Sequence, residues 1–251
     1  MLASTLHDRE NRLSGLIEET HRRLGSLFES IVVAVTPETH PEIRLTLSRL
    51  DSLEVCTGGA SISSTYRTAL EQSLAKNPER ILYCDFDRAI HWTRVYPEEL
   101  ERNVNSYPQH DFLLIGRTPS ALCSHPETQI TTEAIANSVA SRVLGFKETR
   151  DVISACWRLT PELTERMLQL PERNTYGFYC EWPIVAWRQA RCPGYIEVEG
   201  LEWETPDRYM REVEEKGYEQ WLRGFQTPGE WRKRVKILED VIQSMTDYVP
   251  R

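Results

Sequence analysis

Ile81-Leu82-Tyr83-Cys84-Asp85-Phe86-Asp87 decides the fold of this chain. Four apolar residues lie between the Asn77-Pro78 break and a pair of acids, the length and setting of a buried strand. Asp85-Phe86-Asp87 then stands at the C-terminal end of that strand. Alternate residues of a regular strand face the same way, so both carboxylates are expected to converge. Carboxylate oxygens suit hard cations such as Mn²⁺ or Mg²⁺. A metal held there bridges a diphosphate and steadies a departing nucleotide. An Asp-x-Asp is common by chance, so its weight here comes from its position after a buried strand.

Upstream, Ile31-Val32-Val33-Ala34-Val35 is a second strand, stopped by Thr36-Pro37. His40-Pro41 opens a short helix with Ile43, Leu47 and Leu50 on one face. A weaker strand at Leu53-Glu54-Val55-Cys56 ends in Thr57-Gly58-Gly59, a sharp turn. A helix with Ile62, Tyr66, Ala69, Leu70 and Leu74 inward leads to Ile81. The β-α-β-α-β order predicts a parallel sheet, with 31–35 and 81–84 as neighbouring strands. Such sheets bind ligands beyond the carboxyl ends of their strands. The tips after Val35, after Cys56 and at Asp85 are therefore expected to share one rim.

Downstream, the pattern predicts a helix from Pro97 to Val104, a strand at Phe112–Ile115 and a loop from Gly116 to Gln129. A helix bearing Ile135, Val139 and Val143 closes at Gly145. A strand over 152–159, helices from Thr160 and Glu181, and a half-exposed strand near Ile196 follow. Leu6, Leu13, Leu16, Ile17, Leu24, Leu27 and Phe28 predict one amphipathic helix over 2–28, packed on the domain or on a second copy in a homodimer. The chain thus divides into an N-terminal helix (1–29), an α/β domain (30–205) and a C-terminal helical extension (206–251).

A formal net charge of -8 argues against a nucleic-acid partner, which calls for a basic footprint. No apolar run approaches the ~20 residues of a membrane span. The first residues lack the apolar core of a signal peptide, so a cytoplasmic location is expected. The six cysteines form no CxxC pair and read as reduced thiols.

In their order, these segments resemble the GT-A fold glycosyltransferases of the family-2-like, nucleotide-diphospho-sugar transferase superfamily. Ser30-Ile31-Val32-Val33-Ala34-Val35-Thr36-Pro37 resembles the first strand and nucleotide loop. Tyr66-Arg67-Thr68-Ala69-Leu70 resembles the arginine-bearing helix, and 81–87 the DxD strand itself. Gly177-Phe178-Tyr179-Cys180-Glu181-Trp182, with Arg188 and Gly194, resembles the acceptor-side stretch. The resemblance covers about residues 30–200. It implies a Rossmann-like, mostly parallel sheet flanked by helices, and transfer of a sugar from a nucleotide-diphosphate donor to an acceptor hydroxyl. It implies donor contacts at Thr36, Pro37, Arg67, Asp85, Asp87 and Arg88, a metal on Asp85 and Asp87, and catalytic roles for Asp87 and Glu181. Where the family has Glu-Asp, this chain has Glu181-Trp182, leaving Glu181 as the base. A late histidine ligand is absent, since the last histidine is His125; Glu202, Glu204 or Asp207 stand in its place.

Acceptor contacts are expected at His91, Arg117 and Trp182, with Trp92, His125 and Gln129 nearby in sequence. Each also has a structural reading: arginines in ion pairs, histidines and tryptophans in packing, Glu181 as a helix-start carboxylate. Two further functions compete. One is a GT-A-like domain that binds without catalysis. The other is a haloacid-dehalogenase-type phosphatase, whose Asp-x-Asp follows the first strand and precedes Thr or Val where Ala89 stands here.

Overall fold

The computed structural model describes residues 1–248. Seven strands form one sheet: β1 (Leu2–Leu6), β2 (Ile31–Val35), β3 (Leu53–Thr57), β4 (Ile81–Tyr83), β5 (Phe112–Arg117), β6 (Trp157–Leu159) and β7 (Pro193–Val198). Their order across the sheet is β3-β2-β1-β4-β6-β5-β7. Every pairing is parallel except those of β6, which runs against both β4 and β5. The sheet is therefore mostly parallel and helix-flanked, as expected.

Side chains alternate between two cores, the period-2 signature of strands buried on both faces. Ile31, Val33, Val35, Leu82 and Cys84 face one helical layer: α1 (Ser14–Leu27), α2 (Pro41–Ser48), α4 (Phe86–Val95) and α5 (Pro97–Asn105). Ala34, Ile81, Tyr83, Phe112 and Leu114 face the other: α3 (Ile62–Leu74), α7 (Glu127–Leu144), α8 (Pro161–Leu168), α9 (Phe178–Gln189) and α13 (Pro228–Met245). Short helices α6 (Pro119–Cys123), α10 (Thr205–Arg208), α11 (Met210–Lys216) and α12 (Tyr218–Leu222) complete the chain.

The N-terminus departs from expectation. Residues 2–6 are not helix but β1, fully buried and seated between β2 and β4. The strands at 31–35 and 81–83 thus share a sheet without being neighbours, and the sheet begins at residue 2 rather than 30. Asp8 ends the strand: its carboxylate accepts from the backbone amides of Glu10, Arg12 and Leu13, a turn that competes with helix. The helix proper starts at Ser14, and Leu13, Leu16, Ile17, Leu24 and Phe28 bury against the same chain, with no second copy needed.

Two further boundaries differ. The loop from 116 to 129 holds α6 and the start of α7, because Thr118-Pro119 caps a helix, the Thr118 hydroxyl accepting from Ala121 N–H at 3.1 Å. The strand over 152–159 is only β6; Ala155 sits at φ 55°, which breaks the extended run. Gly145 ends α7 in the left-handed region as predicted, but Ile135 faces solvent.

Candidate functional site

The carboxyl ends of β1 to β4 open on one cleft of about 530 Å³. Thr5 and His7 come from the end of β1, Thr36 and Pro37 from β2, Gly59 and Ser61 from the turn after β3, Asp85 and Asp87 from β4. The order β3-β2-β1-β4 places the switch of strand order between β1 and β4, where open α/β sheets bind ligands. The shared rim is as expected. Its sharp turn has a steric cause: a Cβ at Gly58 would meet the Thr65 side chain, and one at Gly59 the Ser64 side chain. The chain there runs against the first turn of α3, whose N-cap Ser61 forms a capping box with Ser64.

Asp85 and Asp87 do not sit on one strand face. Backbone curvature starts α4 at Phe86, so Asp85 is its N-cap and Asp87 lies in its first turn. Asp85 Oδ1 accepts from the Tyr66 (2.7 Å), Tyr83 (3.0 Å) and Thr5 (3.0 Å) hydroxyls. Among the described residues its Oδ2 has no hydrogen-bond partner, and the residue lines the cleft. Burial pushes the Asp85 carboxyl above the usual range; Arg88 pulls it back and Asp87 adds to the rise. Asp87 accepts from the Arg88 backbone amide at 2.9 Å and is paired with Arg208, whose other terminal nitrogen donates to the His7 carbonyl at 3.0 Å.

Other expected residues fall elsewhere. Arg67 points away from the cleft and donates to the Leu168 and Leu170 carbonyls at the end of α8. Its neighbour Tyr66 holds the inward position, since successive helix residues differ by about 100°. Arg88 reaches the Ser154 carbonyl and Glu204. His91 is buried between Asp207 (2.7 Å) and Glu202 (3.1 Å). Burial opposes its charge, but those carboxylates prevail and its pKa is raised. Arg117 is buried on Asp151 and Glu133, at 2.7 Å and 2.6 Å. Trp182 is core, packed on Phe178. Glu181 is 2% exposed and accepts from the Tyr248 hydroxyl at 3.1 Å, with Arg173 at 3.3 Å. It does not line the cleft with Asp87, because α9 turns it toward the C-terminal helix. Neither the base nor the acceptor contacts therefore stand where expected.

Sequence reasoning missed Thr5, His7, Tyr66, Tyr176, Tyr179 and Arg208 as cleft residues. The first two followed from reading β1 as helix. Asp8 and Asn11, both turn formers, were the signal available.

A second cavity of about 150 Å³ adjoins the cleft and shares Tyr176 and Tyr179 with it. His125 lines it, as does Gln129. Burial, Arg117 and Arg88 push the His125 pKa down to about 2, so the ring is neutral. Burial and repulsion by Asp87 raise Glu204, against the pull of Arg88.

No family model matches the chain, and no curated protein does. Solved structures do match. Glucosyl-3-phosphoglycerate synthase from Mycobacterium tuberculosis, in complex with Mn²⁺, UDP-glucose and glycerol 3-phosphate, is 11% identical, with a TM-score of 0.53 over 100% of this chain and 80% of that one. The same enzyme with UDP-glucose and phosphoglyceric acid is 10% identical, with a TM-score of 0.52 over the same shares. Its complex with UDP and phosphoglyceric acid is 12% identical, with a TM-score of 0.50 over 78% and 68%. At such identities the likeness is one of architecture, and it agrees with the strand order and the helical layers described above. The chain has the GT-A glycosyltransferase fold.

Proposed function

We propose that this chain moves a sugar from a nucleotide-diphosphate donor to an acceptor hydroxyl in the cleft at the ends of β1 to β4. The observation that carries the reading is the meeting of Asp85 and Asp87 with the β1, β2 and β3 tips around one cleft, in a sheet of GT-A topology. Thr36 and Pro37 stand at the rim for the nucleoside, and the start of α3 offers a favourable pole for phosphate. An acceptor hydroxyl oxygen bonds to the anomeric carbon and loses its proton to water, as the bond from that carbon to the diphosphate breaks and its electron pair leaves on the diphosphate.

The two acids fit a hard divalent cation. Asp85 lines the cleft and is pinned through Oδ1, leaving Oδ2 without a hydrogen-bond partner among the described residues, while Asp87 has one side-chain partner to release, Arg208. Among the described residues no cluster of three potential ligands forms. One or two carboxylates with substrate phosphates is the usual Mg²⁺ arrangement. When bound, such an ion neutralises charge on the departing diphosphate. Arg208, freed from Asp87, and Arg9, at the cleft wall, supply donors for the same oxygens.

Calorimetric titration with UDP, GDP, CDP and ADP, with and without Mn²⁺, tests this. The wild type is expected to bind at least one of them in a Mn²⁺-dependent way. Asp87→Ala is expected to abolish that dependence and Asp85→Ala to weaken it. A wild type that binds none of the four removes the main support. A second reading, binding without turnover, is favoured by the Asp87–Arg208 pair and by the position of Glu181 outside the cleft. Absence of sugar-nucleotide turnover or hydrolysis despite tight binding selects it. The phosphatase reading has no support: the acidic tip ends the fourth strand, and one acid oxygen is filled by three hydroxyls.

A further inference from the structure

The two most exposed large apolar side chains among the described residues stand on two helices that pack on one another: Val235 of α13 at 52% and Ile135 of α7 at 50%. Arg234 of α13 reaches Gln129 and Glu133 near the start of α7. Arg188 donates to the Val143 carbonyl near the end of α7 and to the Tyr248 carbonyl just beyond α13. The helices therefore run side by side in the same direction, and Ile135 and Val235 lie at about one level. Trp231, Val235, Leu238 and Ile242 recur at i, i+4, i+7 and i+11, an apolar stripe that is exposed or half-buried. The core is already supplied by other positions, Val241 and Met245 on α13 and Ala136 and Ala140 on α7. An apolar stripe left over on the outside marks a contact surface.

Charge on this outside is segregated along each helix. On α13, Arg232 and Lys236 precede Glu239; on α7, Glu127 precedes Arg142; all five are exposed. None of the five forms an ion pair among the described residues. Exposed charges on other turns do close pairs within their own helix, as in Glu162–Arg166, Arg211–Glu215 and Glu230–Lys233. An anionic membrane or a nucleic acid calls for a surface of one sign. Here each helix has both signs, at opposite ends. Turned antiparallel, its basic end meets the acidic end of an identical helix. A twofold interface requires that property, because the same patch serves on both subunits.

From the exposed apolar stripe and the segregated, unpaired charges, we infer that the α7–α13 face binds a second copy of this chain about a twofold axis crossing the helices. Each helix lies antiparallel to its copy. Val235 and Ile135 are buried in the contact, and Lys236 meets the partner subunit's Glu239, twice by symmetry. This pairing holds whether or not the cleft transfers a sugar.

Sedimentation equilibrium of the whole chain across the micromolar range is the test. The wild type is expected at twice the chain mass. Lys236→Glu and Glu239→Lys, each alone, are expected to weaken association about tenfold, because like charges then face each other. The double variant, and an equimolar mixture of the two single variants, are expected to regain it. Val235→Asp and Ile135→Asp are each expected to give monomers with wild-type circular dichroism, since both sites are exposed. A wild type that stays monomeric overturns the inference. So does a dimer indifferent to these changes, or a charge-swapped double variant that fails to reassociate. Vesicles of phosphatidylserine and phosphatidylcholine form a last arm: a monomer that binds them, and loses that binding in Val235→Asp, assigns the face to a membrane and likewise overturns the dimer.

Discussion

Gly200 lacks a side chain because Trp92 fills the space one would need: a Cβ there would meet the indole ring. Trp92 cannot yield easily. It is fully buried, and its Nε1–H donates to Glu99 at 2.8 Å, while the same carboxylate accepts from the Glu199 and Gly200 amides. Gly200→Ala is therefore expected to destabilise the fold by about 1–3 kcal/mol, the range for overpacking, measured by urea unfolding. His91 gives a pH test. Its proton is held by Asp207 and Glu202, and Arg94 shares Asp207 at 2.7 Å. The native state binds that proton more tightly than the unfolded chain does. The resulting stability is complete below the ordinary imidazole pKa of about 6.5 and is lost as pH rises through the higher folded value. Wild type is expected to lose more unfolding free energy between mildly acidic and mildly alkaline pH than His91→Asn does. Equal slopes for both would discard the role of His91.

At the scale of elements, the segment around α10 is what closes the acidic tip. Arg208, the last residue of α10, pairs with Asp87 and reaches the His7 carbonyl. On the proposed reading, a divalent cation would compete with this guanidinium for one carboxylate. Arg208→Met is expected to raise Mn²⁺ affinity of the nucleotide-free protein on the order of tenfold, the size of one charge-assisted hydrogen bond, and to lower nucleotide affinity in the presence of a chelator. Unchanged Mn²⁺ affinity would sink that competition. Elements with clear periodicity or a starting Pro were legible in the sequence: β2, α2, α3, β4 and α8 stand where their apolar runs and, for α2 and α8, Pro41 and Pro161 put them, whereas α9 starts at Phe178, before the expected Glu181. β1 was not. Ala3-Ser4-Thr5 is small and polar, and only its place between two strands makes it core. The direction of Arg67 was equally illegible, because one residue of helical rotation decides whether Tyr66 or Arg67 meets Asp85. Arg208 stands 121 residues from Asp87 in sequence, and no local pattern links them.

Across the whole molecule, the division at residue 29 has no counterpart in the sheet. In the sheet of the described residues β1 lies between β2 and β4, hydrogen-bonding both. Removing residues 1–6 is expected to abolish cooperative unfolding rather than trim an appendage, as circular dichroism under thermal ramp would read. A truncated chain that melts like the full one would refute this. The same placement sets an order in time. Ser4 bonds the Cys84 carbonyl and Thr5 the Asp85 carboxylate, each across 80 residues. During synthesis β1 leaves the ribosome before β4 and waits for it before its second edge is covered. Such long-range pairing is slow to form. Until it does, the rim lacks its middle strand and Asp85 lacks one of its three hydroxyls, so the cleft is completed as a late folding event rather than with the first strands.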